Sequence, residues 1–219
     1  DLVLKNYNFY KQAVLNTKRS FMERFSEFAI HPLENQPFLC TYVSKKITFS
    51  FATSSFLNIV FEASKHFTNI RYVISGGFDF DNPDCIDPMV IDKVTQEGIV
   101  EYWGYSNKMP NIINESSIVV FPSYYGEGLP KILIEAAACG KPVVTTDHPG
   151  CRDAIIDNVT GLLVPIKSPI SIANAIRTII NNNDLKTSMG KEARLLAEKK
   201  FSIDNVVAKH LGIYNELVD

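Results

Sequence analysis

The chain has 219 residues, with 22 Lys+Arg against 24 Asp+Glu and a formal net charge of -2. That length predicts one domain, or one domain with an appendage, able to bury a substantial core. With 46% hydrophobic and 21% charged residues, the composition excludes a mainly disordered chain, and the even balance argues against a nucleic-acid face built on bulk positive charge. No apolar run approaches the ~18–20 residues that span a bilayer, and the N-terminus lacks the parts of a signal peptide. The four cysteines, Cys40, Cys85, Cys139 and Cys151, form no CxxC pair. They read as reduced packing thiols of a cytoplasmic protein. The chain opens at Asp1 rather than Met, so it is expected to be a fragment or a processed piece.

Residues 9–28 carry Val14, Leu15, Phe21, Met22 and Phe25 at mixed helical spacing and predict one or two helices. Residues 38–43 read as a short apolar strand, and 44–55 as strand or loop. A helix is expected over 56–67, capped by Ser54 or Ser55. A strand over 70–74 runs into Gly76-Gly77, followed by a helix over 88–97, a strand over 99–103, a short helix over 107–114 and a buried strand over 118–121. Residues 130–138 predict a helix closed by Gly140. Strands over 142–145 and 161–164 come next, joined through a turn at Asn158, which tolerates positive φ. Three closing helices are read over 170–181, 185–199 and 203–217, capped by Ser168, by Asn183 or Asp184, and by Ser202. Short β-branched strands alternating with helices predict an α/β fold: a Rossmann-like parallel sheet flanked by helices, with right-handed crossovers. The expected division is an N-terminal helical linker over 1–37, a Rossmann-like domain over 38–200 and a C-terminal helix over 201–219.

In such sheets ligands bind beyond the carboxyl ends of the strands, which selects the loops 76–87, 104–107, 122–130 and 146–152. The stretch FPSYYGEGLPKILIEAAACG (121–140) is the most informative. A buried strand gives way to a loop with Gly126, Glu127 and Gly128, and Pro130 then opens a helix, where its missing N–H is harmless and its φ preset. Free amides and the positive end of a helix suit a phosphate or diphosphate. Glu127 can accept from ligand hydroxyls beside that anion. Glu135, eight residues on, lies roughly 8 Å further along the helix, placed to accept from the hydroxyls of a ribose. Two carboxylates bracketing an anion site suit a nucleotide-diphosphate sugar. The same residues also fit a solvated helix face and an ordinary glycine loop.

Glu127 to Glu135, with seven residues between, resembles the E-x7-E motif of the retaining GT-B glycosyltransferases of sequence family 4 (group 1). GGFDFDNPD (76–84), GIVEYWG (98–104), the stretch 119–155, NVTGLLVP (158–165) and MGKEARLLAEKKFS (189–202) run in that family's order. The resemblance covers roughly 38–217 and is nearest to bacterial capsular, O-antigen and lipid-linked oligosaccharide transferases. It implies a C-terminal donor-binding domain. Glu127 is then the catalytic candidate, touching sugar hydroxyls near the reacting centre. Gly126, the amides of Gly128 and Leu129, Pro130 and Lys131 hold diphosphate or sugar, and Glu135 holds the ribose. Tyr105 and Ser106 occupy the base-contacting loop, and Gly76, Gly77, His148 and Arg152 complete the donor side. The family implies no metal and no cofactor beyond the nucleotide-sugar donor, with UDP expected. It further implies a lipid-linked or polysaccharide acceptor, peripheral association with the inner face of a membrane, and no nucleic acid.

Two departures stand out. The resemblance implies a second, N-terminal Rossmann-like domain that binds acceptor, and 219 residues leave no room for it. The family's first strand ends in Arg, followed by a Lys-Gly pair that neutralises the diphosphate. Here it ends Tyr42-Val43-Ser44, Ser54-Ser55 align with the pair, and Lys45 and Lys46 are out of register. Two alternatives therefore stand beside the transferase: a non-catalytic relative with a degraded diphosphate site, and a sugar-nucleotide epimerase of the same fold, against which the E-x7-E spacing and the EGLP loop argue. Trp103 reads as core. Arg152 and Asp153, expected to open a short helix, fit an ion pair or a donor contact. His31, His66 and His210 lack ligand spacing, and Asp79, Asp81 and Asp84 lack EF-hand register.

Overall fold

The structure is a computed structural model and describes residues 39–43, 70–78, 87–123 and 128–216. The chain divides into two compact units, one spanning 33–194 and the other combining 1–32 with 195–219.

In the first unit the elements run β1 (Leu39–Val43), β2 (Arg71–Ser75), α1 (Pro88–Gln96), β3 (Glu101–Gly104), α2 (Met109–Glu115), β4 (Ile118–Phe121), α3 (Lys131–Ala138), β5 (Val143–Thr146), α4 (Pro149–Ala154), β6 (Gly161–Val164), α5 (Pro169–Ile180) and the start of α6 (Asn183–Lys200). The six strands form one sheet in the order β3-β2-β1-β4-β5-β6. Every pairing is parallel, from Cys40 beside Ile118 at the centre to Val143 beside Gly161 at one edge.

Both faces of this sheet are covered, which is why its strands read as unbroken apolar runs. Side chains alternate across a strand. Ile118 and Val120 of β4 enter one core with Val144, Ile91 and Val94 of α1, and Ile172, Ile176 and Ile179 of α5. Val119 and Phe121 enter the other, with Ile112 and Ile113 of α2, Ile132, Leu133 and Ala136 of α3, and Ala154 of α4. The split follows from handedness. Right-handed crossovers place a helix on one face when the chain steps one way along the sheet and on the opposite face when it steps back.

The predicted elements match these closely, and the differences have local causes. β3 starts at Glu101 rather than at 99 because the amides of Ile99 and Val100 turn back to the carbonyl of Val94 at the end of α1. Ser75 pairs with Gly104 rather than with Trp103, so Trp103 sits in a bulge, half-buried, its Nε1 donating to Glu101 Oε2 at 3.1 Å. Pro130 occupies the N-cap of α3, one position before the first helical residue. Ser168 is the N-cap of α5 but its hydroxyl bonds Ser171 Oγ at 2.7 Å instead of a helix amide. The cap of α6 is Asn182, whose Oδ1 accepts from the Leu185 amide at 2.9 Å, in place of Asn183 or Asp184. Asn158 turns at φ 61° as expected. The expected helices within 1–37 and over 56–67, and the segment 44–55, lie outside the described residues.

α3 ends in a Schellman motif. The amide of Gly140 reaches the Ala137 carbonyl and that of Lys141 the Ala136 carbonyl, both at 2.9 Å, with Gly140 at φ 63°. Gly190 of α6 lies against this turn, where an added Cβ would stand 2.3 Å from the Gly140 carbonyl oxygen. Arg194 Nη1 donates to the Ala138 carbonyl at 2.6 Å beside it.

In the second unit, α7 (Ile203–Glu216) follows α6. Ser202 caps it as expected, accepting from the Asn205 amide at 3.4 Å, while Asn205 Nδ2 donates to the Lys199 carbonyl at 2.7 Å. Among the described residues no helix is long and apolar enough to cross a membrane.

At the amino ends of β2 and β3, Arg71 grips Glu101 with two bonds of 2.6 and 2.8 Å and lies 5.9 Å from the Trp103 ring centre. The hydrogen bond from Arg71 holds the Glu101 carboxyl below its ordinary value of 4.5. The pair contributes stability that is fully present above that value and is lost as pH falls through the lower folded value. Both side chains are about two-fifths exposed, so the contribution stays below about 1 kcal/mol.

Two predictions follow from the packing. Gly190→Ala destabilises the chain by about 1–3 kcal/mol, because backbone must move to admit the methyl group, as read from urea unfolding. Glu101→Gln flattens the acid limb of the stability–pH curve and leaves the neutral plateau within about 1 kcal/mol of wild type.

Candidate functional site

The strand order reverses between β1 and β4: the chain leaves β1 toward β2 and leaves β4 toward β5. The connections from these two neighbours diverge, opening a crevice at their carboxyl ends, the position where open α/β sheets bind ligands. The loops that flank it begin after Val43, Ser75, Gly104, Phe121 and Thr146.

Hydroxyl side chains fix how those loops depart. On one side of β1, Ser75 Oγ and the Gly76 amide both donate to the Gly104 carbonyl at 3.1 and 2.9 Å, and Tyr102 Oη donates to the Gly76 carbonyl at 2.8 Å. On the other, Thr145 Oγ1 donates to the Phe121 carbonyl at 2.6 Å, and Thr146 Oγ1 donates to the Ser123 carbonyl. Thr145 and Thr146 are fully buried. Each bond replaces solvent for a carbonyl at a strand exit, where the ladder ends and the backbone needs another partner. The exit of β4 is thereby held against β5 for two residues past the end of the strand.

Most of the residues nominated from the sequence lie at this end of the sheet. Gly77 meets Tyr105, whose Cβ would be 3.6 Å from a Cβ at Gly77, so the loops after β2 and β3 touch. Tyr105 is 65% exposed, and Ser106 Oγ accepts from the Lys108 amide at 3.0 Å at the start of α2. After β4, Gly128 and Leu129 are exposed, Pro130 is buried, and Lys131 is exposed at the first position of α3. Glu135 is half-buried one turn further on. His148 is the N-cap of α4, half-buried, without a side-chain capping bond. Gly126 and Glu127 lie outside the described residues, as do the acidic run at Asp79, Asp81 and Asp84 and, of the segment 41–56 that departs from the family's phosphate cations, all but 41–43.

Arg152 is not at the start of its helix, as expected, but in the last turn of α4. Its guanidinium pairs with Asp147 and reaches the Asp147 carbonyl at 3.5 Å. Both side chains of this ion pair are about half exposed. A positive charge at the C-terminal end of a helix is also favoured by the dipole.

Thr145, Thr146, Ser75 and Ser123 are the residues at this end that sequence reasoning missed. The signal available was polar pairing at the ends of apolar strands, VVTT (143–146) and RYVIS (71–75). Below α3, burial pushes the Cys139 thiol up to about 12, leaving it a packing group as expected. Lys141 Nζ donates to the Asn114 carbonyl at 2.9 Å, and burial lowers its pKa. Among the described residues no group of three or more His, Cys, Asp or Glu is placed to hold a metal ion.

The family described as "Glycosyl transferases group 1" matches residues 57–196, well over half of the chain. The chain belongs to the group 1 glycosyl transferases. One relative, the N,N'-diacetylbacillosaminyl-diphospho-undecaprenol alpha-1,3-N-acetylgalactosaminyltransferase of Campylobacter jejuni, is 30% identical over 150 residues, covering 68% of this chain and 38% of its own length. A second, the capsular polysaccharide biosynthesis glycosyltransferase CapM of Staphylococcus aureus, is 26% identical over 185 residues, 84% of this chain and 48% of CapM. The chain therefore spans less than half the length of these two relatives. Among solved structures, the C-terminal domain of the group 1 protein LpcC from Francisella tularensis matches with a TM-score of 0.65 at 23% identity, covering 77% of this chain and 89% of that one. HepE of Anabaena, solved in complex with UDP, matches with a TM-score of 0.72 at 17% identity, covering 91% of this chain and 53% of HepE. These likenesses establish the Rossmann-like sheet of a GT-B glycosyltransferase as the fold.

For this group 1 chain the buried threonines make a measurable prediction. Thr146→Val keeps the shape of the side chain but strips the Ser123 carbonyl of its donor. The expected cost is about 1–2 kcal/mol of stability by chemical denaturation, and limited proteolysis is expected to cut faster between Ser123 and Pro130.

Proposed function

We propose that this chain is the donor-binding domain of a retaining glycosyltransferase that uses a nucleotide-diphosphate sugar, with UDP as the nucleotide. The protein it belongs to transfers the sugar to a lipid-linked or polysaccharide acceptor in bacterial surface polysaccharide synthesis. The observation that carries this reading is the placement of Gly128, Leu129, Pro130 and α3 after the carboxyl end of β4, beside the reversal of strand order, in a chain of the group 1 family. The Campylobacter and CapM relatives, by their names, act in lipid-linked and capsular saccharide synthesis, and HepE binds UDP.

The described geometry fits an extended ligand. From the exit of β3, with Tyr105, to that of β5, with His148, the sheet spans four strand spacings, roughly 19 Å. On this reading Tyr105 and Ser106 take the base, Glu135 the ribose, and Gly76 and Gly77 leave the backbone close to the ligand. The diphosphate lies against Gly128, Leu129 and the amino end of α3, whose first turn carries no acidic residue. Lys131 there opposes the helix dipole when alone and complements an anion when one is bound. Gly126 belongs to the donor-binding loop, and Glu127 takes the sugar hydroxyls. Glu127 stabilises charge as the leaving phosphate assists the incoming hydroxyl; it need not form a covalent bond, as a glycosidase nucleophile does. No metal is called for in this scheme. A second Rossmann-like domain holds the acceptor, the whole protein works at the inner face of the membrane by peripheral association, and nucleic acid has no part.

A second reading, a family member whose donor site no longer works, is favoured by one observation: the guanidinium of Arg152 is committed to Asp147. Nucleotide binding separates the two. In the donor reading, millimolar UDP raises the melting temperature of the 219-residue chain, and Glu135→Ala weakens UDP about tenfold or more, the loss of one or two hydrogen bonds to a charged group. In the whole enzyme Glu127→Gln lowers kcat with the fold intact. No response to UDP or GDP sinks the donor reading for this chain.

A further inference from the structure

We propose that the Ser123 hydroxyl is a donor-binding group: it hydrogen-bonds a phosphoryl oxygen of the nucleotide diphosphate. The inference rests on the donor reading above and extends it to a residue outside the E-x7-E motif.

Six polar residues are buried among the described ones, all serines and threonines: Ser75, Ser116, Ser123, Thr145, Thr146 and Thr160. Five of their hydroxyls have protein partners. Ser75 donates to the Gly104 carbonyl, Ser116 to that of Ile112, Thr145 to that of Phe121, Thr146 to that of Ser123, and Thr160 engages the amide and carbonyl of Ile156. Ser123, 6% exposed, is the exception: its Oγ is inaccessible and has no hydrogen-bond partner. A buried hydroxyl without a partner is disfavoured, and native proteins retain few of them. Nor is this residue loosely held, since its own carbonyl is fixed by Thr146 Oγ1.

The position is as informative as the burial. Ser123 lies two residues beyond β4, on the connection that enters α3 at Pro130 and next to the strand-order reversal. On the donor reading, the nucleotide diphosphate in that crevice brings acceptors to this connection. Phosphoryl oxygens accept without donating and carry charge, so they form the stronger bond with a hydroxyl. The amino end of α3 on the same connection favours the same charge. A ligand oxygen bonded at Ser123 would partner the hydroxyl that the protein alone does not.

The test is Ser123→Ala in the 219-residue chain, read by thermal unfolding with and without UDP or GDP, and by calorimetric titration. Without ligand the melting temperature is expected to stay level or rise slightly, because no protein hydrogen bond is removed. Affinity for the nucleotide diphosphate is expected to fall about tenfold, the worth of one charge-assisted hydrogen bond. An unchanged affinity overturns the inference and leaves the hydroxyl to a bound water. A drop of several degrees without ligand also overturns it, since that marks a structural partner. If wild type responds to neither nucleotide, the donor reading fails and this inference falls with it. If wild type responds and the variant responds equally, only the inference falls.

Discussion

Everything at the candidate site depends on where β4 stops and how its chain leaves. β4 is the strand beside β1 at which the order of the sheet reverses, so its exit forms one wall of the crevice. A strand of four residues has little ladder of its own with which to fix that exit. Thr145 and Thr146 supply the remainder by bonding the Phe121 and Ser123 carbonyls from the neighbouring strand. The opposite flank uses the same device, with Ser75 and the Gly76 amide converging on Gly104. In both places a buried hydroxyl extends the hold of the sheet past its last ladder bond. That is how the backbone at the mouth of the crevice is positioned by rigid elements rather than left to a free loop.

The packing serves the same end from below. α3 must sit with its amino end at the carboxyl end of β4. Ile132, Leu133 and Ala136 anchor one face in the core with Val119 and Phe121. Its last turn is closed by the Schellman motif at Gly140, against which Gly190 of α6 packs its backbone. These contacts hold the helix at its buried face and at its carboxyl end.

Much of this was legible from the sequence, for identifiable reasons. Strands buried on both faces are unbroken apolar runs, so 118–121 and 161–164 could be read to the residue. The Pro130-to-Gly140 interval marks a helix by its own punctuation. What stayed hidden depends on partners far apart in the chain. Thr146 and Ser123 are separated by 23 positions and Ser75 and Gly104 by 29, and no local pattern says which carbonyl a hydroxyl will find. Ser123 looked like any serine after a proline until its burial was known. The early start expected for β3 failed for a similar reason: Ile99 and Val100 have strand-forming side chains, but their amides are already taken by the end of α1.

The net charge of -2 bears on the chemistry in a way that composition does not reveal. A diphosphate brings two or more negative charges, and the described guanidinium at this end of the sheet, Arg152, is already neutralised by Asp147. Under the proposed reading, the described part of the site meets that charge with fixed dipoles: the amides of Gly128 and Leu129, the amino end of α3 and the hydroxyl of Ser123. Dipoles held by buried threonines and a packed helix need little reorganisation when the anion arrives. Lys131 adds a charge that a bound anion would complement, since a lysine in the first turn of a helix is set against the dipole. A site of this kind favours the diphosphate by geometry and leaves the overall charge of the chain near zero.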